Sequence, residues 1–132
     1  MCASSTLLPL GMQNGHLTPC NKRHNCAITQ VVNGQKTHVQ PIRYTGSKQQ
    51  AMARMKQIIL AMPRTDIIKE THNYVHATFK TKLWGFIDDV ECYFPDEQPI
   101  IHMRSASRKG LFDFGVNKRR LKRIKKAFEA TH

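Results

Sequence analysis

The side chains able to do chemistry concentrate in two runs late in the chain. The first, Asp88-Asp89-Val90-Glu91, supplies three carboxylates within four residues. The second, Ile101 to Arg120 (IHMRSASRKGLFDFGVNKRR), carries Arg104, Ser105, Ser107, Arg108, Asp113, Asn117 and Arg120. That is a denser polar set than a structural turn needs. If the two strands bearing these runs pair across the turn near Asp96, opposite charges meet, and three kinds of chemistry follow. The charges can form a buried ion-pair network that fixes strand register. Arg104, Arg108 and Arg120 can clamp a phosphate or carboxylate, which the planar guanidinium fork suits. Asp88, Asp89 and Glu91 can offer several oxygens to a hard cation. The network and the anion clamp are the expected readings, and no metal is expected.

Ser105 and Ser107 raise the question of a nucleophile. A serine hydrolase needs a base within hydrogen-bond reach and a carboxylate that orients it. His102 shares a strand with the serines, and His76 falls on a neighbouring one. No G-x-S-x-G elbow surrounds either serine, and the chain has no P-loop, dinucleotide fingerprint, H-E-x-x-H or EF-hand loop. A non-enzymatic domain without a cofactor is therefore expected. A small hydrolase-like enzyme using Ser105 or Ser107 is kept as an alternative.

These residues need a scaffold, and the patterning supplies one. Thr37 to Tyr44 reads as a first strand, pushed to an edge by Pro41. Ser47 and Gln50 have capping-box spacing. A helical stripe follows at Ala51, Met52, Met55, Ile58, Ile59 and Met62, and Pro63 ends it. Asp66 to Glu70 is a short strand. Tyr74 to Leu83 alternates, with Val75, Ala77, Phe79, Thr81 and Leu83 on one face, as a half-buried antiparallel strand does. Phe86 to Phe94 alternates again, placing Asp88 with Val90 and Cys92, and Asp89 with Glu91 and Tyr93. After the Pro95–Pro99 turn, Ile100 to Ala106 forms the next strand. Asn117 reads as the cap of a last helix ending near Ala130, with Leu121, Ile124, Ala127 and Phe128 as its apolar face. The expected fold class is α+β: a single curved antiparallel sheet of about five strands with two helices packed on one face.

The whole chain sets outer bounds. Its 132 residues suit one hydrophobic core, and 40% apolar content is ordinary for a globular chain. No apolar run reaches the ~18 residues of a membrane-spanning helix. The net charge of +12 favours polyanions such as anionic lipid, acidic saccharide or nucleic acid. Lys118, Arg119, Arg120, Lys122, Arg123, Lys125 and Lys126 crowd the last helix, so a nucleic-acid-binding module is a second alternative. Cys2-Ala3-Ser4-Ser5 looks like the start of a mature bacterial lipoprotein, with Met1 in place of a removed leader. Residues 1–19 then read as a tether, lipid-anchored at Cys2, and residues 20–132 as the domain. Cys20 and Cys26, flanked by turn-formers, would close a short loop in an oxidising compartment. His16, Cys20, His24 and Cys26 match no standard zinc spacing.

Four runs carry a family resemblance: GFIDDVECYF, IIHMRSASRKGLFDFGVNKRR, PCNKRHNCAITQ and HATFKTKLWGF. Together they resemble a bacterial family catalogued as domain of unknown function 1499, many of whose members look like small lipoproteins. The resemblance spans about Leu10 to Phe128. It implies an envelope location facing the periplasm and a Cys20–Cys26 pair, and it supplies no established activity. It carries over Asp88, Asp89, Glu91, Arg104, Ser105, Ser107, Arg108, Asp113, Gly115, Asn117 and Arg119. Cys92 stands where an aromatic is expected, and His24 where a proline is more usual. The combined expectation is a lipid-anchored envelope domain binding an anionic headgroup, or another phosphate- or carboxylate-bearing ligand. It would do so at the Asp88/Arg104/Arg108 region and the basic last helix.

Overall fold

The computed structural model describes residues 10–20, 25–30, 37–109 and 115–130. The main sheet is antiparallel throughout. Its strands are β3 (Cys26–Ile28), β4 (Ile42–Arg43), β5 (Thr65–Thr71), β6 (Tyr74–Lys80), β7 (Ile87–Tyr93) and β8 (Ile100–Ser107). The order is β3-β8-β7-β6-β5, and β4 also pairs with β8, beyond the end of β3. Two helices, α1 (Lys48–Ala61) and α2 (Val116–Ala130), share one apolar core with one face of this sheet. The fold class is therefore α+β, with six strands in the sheet where about five were expected.

Local signals explain most of these elements. Ser47 Oγ accepts from Gln50 N at 3.1 Å while Gln50 Oε1 accepts from Ser47 N at 3.0 Å, completing the capping box. The α1 stripe Ala51, Met52, Met55, Ile58 and Ile59 is buried. It meets Val75, Ala77 and Phe79 of β6, Val90 and Cys92 of β7, and Ile101 and Met103 of β8. Leu121, Ile124 and Phe128 bring α2 into the same core, and Arg54 of α1 lies over the Phe128 ring at 4.7 Å. Fully burying each such apolar side chain contributes about 1.5–3 kcal/mol.

Four expectations are corrected. The strand expected over Thr37 to Tyr44 is only Ile42–Arg43, since Pro41 has no N–H to give to a ladder. The strand expected to run to Leu83 stops at Lys80, where Thr81 to Phe86 forms a turn. Asn117 is not a cap. The Gly115 carbonyl accepts the first helical bond from Arg119 N at 3.0 Å, which leaves Asn117 inside the first turn. Gly115 has φ +81°, a conformation that a side chain would strain.

The fourth correction concerns residues 10–19, read from the sequence as tether. Met12–Gln13 (β1) and His16–Leu17 (β2) form a hairpin. Its two central residues, Asn14 (φ 53°) and Gly15 (φ 80°), have the left-handed pair that a two-residue hairpin turn requires. Leu17, fully buried, packs with Ile28 and Tyr74 on the sheet face opposite the helices. Cys20 is joined to Cys26 by a disulfide, with a Cα–Cα distance of 5.6 Å, tying the segment to the first residue of β3. The molecule thus has three layers: helices, sheet, and a short amino-terminal strap.

Candidate functional site

The registers of β6, β7 and β8 sort the polar residues onto two faces. Asp88 lies opposite Ser107, and Val90 opposite Ser105; these point to the helix side. Glu91 lies opposite both His76 and Arg104, and Asp89 opposite Ala106; these point to the strap side. Adjacent side chains on a strand alternate, so Asp88 and Asp89 are separated by the sheet itself. Asp88, Asp89 and Glu91 consequently do not converge on one cation, and no metal-holding group of His, Cys, Asp or Glu occurs among the described residues.

On the helix side the α2 start is bolted to β8. Ser105 Oγ donates to Asn117 Oδ1 at 2.6 Å. Asn117 Nδ2 donates to Ser107 Oγ at 2.9 Å and to the Asn25 carbonyl at 3.0 Å. Arg120 Nη1 donates to Ser105 Oγ and Asn117 Oδ1 at 3.2 and 2.9 Å, and its Nη2 sits 2.8 Å from Asp88 Oδ2. The same guanidinium lies over the Phe79 ring at 5.0 Å. Ser105 and Asn117 are fully buried and Asp88 nearly so. His76 and His102 project from the other face, so neither reaches Ser105 or Ser107 as a base. The hydroxyl of Ser105 is committed to an amide oxygen rather than to an imidazole.

On the strap side two carboxylates organise the network. Asp89 accepts two bonds from Arg108, at 2.8 and 2.9 Å, and its Oδ1 lies 2.7 Å from His76 Nε2. Burial pushes the Asp89 carboxyl up. The hydrogen bonds from His76 and Arg108, with the Arg108 charge, outweigh it and hold the group below the usual carboxylate range. The hydrogen bond to Asp89 in turn raises Arg108. Glu91, with no exposed surface, accepts from Tyr74 Oη at 2.5 Å, from Gly11 N at 2.6 Å and from Arg104 Nη1 at 3.3 Å. Burial, then the bond to Glu91, drives the Tyr74 phenol far above its ordinary value. Among the described residues, Arg104 Nε is the buried side-chain nitrogen left without a hydrogen bond.

A family model described as "Protein of unknown function (DUF1499)" matches residues 16–128. The chain belongs to the DUF1499 family. No curated protein matches it. Of the residues singled out for this DUF1499 domain from its sequence, Asp88, Ser105, Ser107, Asn117 and Arg120 form one cluster. Asp89 with Arg108, and Glu91 with Arg104, form two more on the opposite face. Arg119 sits on the exposed side of the α2 first turn. Asp113 and Cys2 lie outside the described residues.

The sequence reading missed Gly11, Tyr74 and His76 as partners of these carboxylates. One signal existed: Asn14-Gly15 marks a hairpin, and a hairpin before the domain needs a surface to cover. Chemically, the arrangement matches each of three buried carboxylates with its own arginine. It holds charge still rather than presenting a nucleophile.

The cations without such partners lie elsewhere. A depression of about 430 Å3 between residues 37–40 and α2 is lined by His38, Lys122, Lys125, Lys126 and Glu129. Lys125 pairs with Glu129 at 2.5 Å, while Lys122 and Lys126 have no carboxylate partner among the described residues.

Proposed function

We propose that this DUF1499 chain is a non-enzymatic binding domain of the bacterial cell envelope, lipid-anchored at Cys2, that takes a phosphate- or carboxylate-bearing partner on the outer face of α2. The observation that carries this reading is the imbalance of charge. Asp88, Asp89 and Glu91 are each matched to an arginine, whereas Lys122 and Lys126 line an open depression in which Glu129, paired with Lys125, is the one carboxylate among the described residues. A surplus of cations over a concave surface draws anions and raises their local concentration. The Asp88/Arg104/Arg108 region enters as the frame: Asp88 holds α2 through Arg120, while Arg104 and Arg108 brace the strap side of the sheet. Arg108, with 41% of its side chain exposed, lies on the strap side and does not line that depression, so its variant serves as the comparison. The Cys20–Cys26 disulfide supports an oxidising compartment, where such bonds persist.

The test is calorimetric titration of the full chain with inorganic phosphate and with citrate, comparing Lys122→Glu/Lys126→Glu and Arg108→Ala. Binding that is lost on charge reversal while the melting temperature is kept supports the reading. Equal binding by the charge-reversed chain, or none by the parent, overturns it. The intact mass of protein from its own host checks the anchor: an acyl increment on Cys2 supports it, and an unmodified Cys2 removes it.

A further inference from the structure

The turn between β6 and β7 places apolar side chains in exposed positions, outside the cores formed by the described residues. Leu83 is 79% exposed and Trp84 72%, with Phe86 also exposed beside them. Single exposed hydrophobes are ordinary, but three within four residues make a contiguous patch. The turn is also built to hold them outward. Thr81 N donates to the Phe86 carbonyl at 2.8 Å, Phe86 N to Thr81 Oγ1 at 2.9 Å, and Gly85 N to the Thr81 carbonyl at 3.1 Å. Gly85 has φ +67°, open to glycine and strained for most residues. The Trp84 and Phe86 rings stack at 6.5 Å. A tip already fixed in this way loses little conformational freedom when it is buried by a partner.

Charge around the tip selects the partner. Lys80 and Lys82 flank it in sequence, and Lys109 Nζ lies 5.8 Å from the Phe86 ring centroid. Arg64 Nε donates to the Lys80 carbonyl at 3.0 Å, adding a guanidinium at the base of the turn. No Asp or Glu occurs from Thr71 through Ile87. We propose that this turn docks the domain on an anionic lipid bilayer, with Leu83 and Trp84 entering the headgroup layer and Lys80, Lys82 and Lys109 meeting lipid phosphates. Tryptophan suits that depth, having an apolar body and one N–H to leave in the wet zone. Lysine stems lie along apolar surface while their ammonium groups stay at the phosphates. Side chains this exposed are enclosed by a fluid layer without any preformed pocket; a protein partner would have to supply one. The inference does not rest on the α2 anion reading, since the two use different residues.

Trp84 is the chain's single tryptophan, so its fluorescence reports the tip directly. The experiment uses the full chain carrying Cys2→Ser, so that no acyl group contributes. Phosphatidylcholine vesicles with and without phosphatidylglycerol are added. The expected result is co-sedimentation with the anionic vesicles, a blue shift of Trp84 emission, and quenching by brominated acyl chains. Leu83→Ser, at a site too exposed to unfold the domain, lowers partitioning roughly tenfold or more, from the lost transfer free energy of one leucine. Vesicle binding with unshifted Trp84 emission, abolished by Lys122→Glu/Lys126→Glu and indifferent to Leu83→Ser, would leave the α2 reading standing and overturn this one. No response to any vesicle, or a Trp84 shift produced only by a soluble envelope protein, also overturns it.

Discussion

Tyr74 donates its hydroxyl to Glu91 Oε2 at 2.5 Å, and the same oxygen accepts the Gly11 amide at 2.6 Å. One buried carboxylate therefore joins β6, β7 and the amino-terminal strap. Arg104 completes the site from β8. Removing Glu91 leaves the buried Arg104 guanidinium without the counter-charge it has among the described residues, which costs about 3–5 kcal/mol. Glu91→Ala is expected to lower the urea midpoint by a corresponding amount. Tyr74→Phe removes one bond to a charged acceptor, about 1.5–3 kcal/mol. Because both changes act on one oxygen, the double variant is expected to be less destabilised than the sum of the singles. Additive losses would show that the Tyr74 bond does not depend on the carboxylate.

Asp89 and His102 are two groups whose shifts shape the acid side of the stability profile. Asp89 titrates below its unfolded value, because His76 and Arg108 outweigh its burial. Its contribution is present above the unfolded carboxylate range, near pH 4, and is lost as pH falls through the folded value. His102 is depressed by burial. From about pH 6.5 downward the unfolded chain takes up a proton at His102 that the folded chain resists, so stability begins to fall there. Chemical denaturation from pH 8 to 3 is expected to give two limbs. His102→Gln flattens the upper limb and Asp89→Asn the lower. A single limb, unchanged by either variant, would contradict the assignment.

The Cys20–Cys26 bond closes a short loop and fixes the strap to β3. Closing a loop of this length stabilises by roughly 2 kcal/mol through the unfolded chain. Reduction, or Cys20→Ser/Cys26→Ser, is expected to lower the melting temperature and to speed hydrogen exchange at Gly11 and Leu17 more than at core amides of β7. Uniformly faster exchange would mean that the strap and the sheet unfold as one unit.

The parts of this architecture legible in the sequence were those with a long period. The α1 stripe and its Ser47–Gln50 cap, and the run Val75, Ala77 and Phe79, fix one sheet face without further help. The opposite face was legible only in part: carboxylates of β7 meeting Arg104 and Arg108 were expected, their burial under a strap was not. Tyr74, His76, Asp89 and Glu91 alternate with apolar residues, as a solvated face does, yet all four are buried. Their cover is two strands of two residues each, too short to show any period. The bond from Gly11 to Glu91 spans 80 residues and has no local signature. Asn117 misled for a different reason. Asparagine is a favoured cap, but Gly115 occupies that position, and the Asn117 amide turns inward to Ser105 and Ser107.

That inward turn makes a sharp prediction about Ser105. The residue has no exposed surface and gives its proton to Asn117 Oδ1 at 2.6 Å, while Arg120 donates to the same hydroxyl. A nucleophilic serine instead needs an approach path and a base, and His102 of the same strand and His76 of β6 face away. A fluorophosphonate probe is therefore expected to leave Ser105 unlabelled in the folded chain, and Ser105→Ala to change no hydrolytic rate. The variant should instead lose stability, by about 1–3 kcal/mol, because Asn117 Oδ1 and Arg120 lose a partner in a site closed to water. Asn117→Ala should cost more than Ser105→Ala, since it severs β8 and the Asn25 carbonyl from α2 together. Labelling of Ser105 under native conditions would overturn this assignment and restore a catalytic role for the β8–α2 junction.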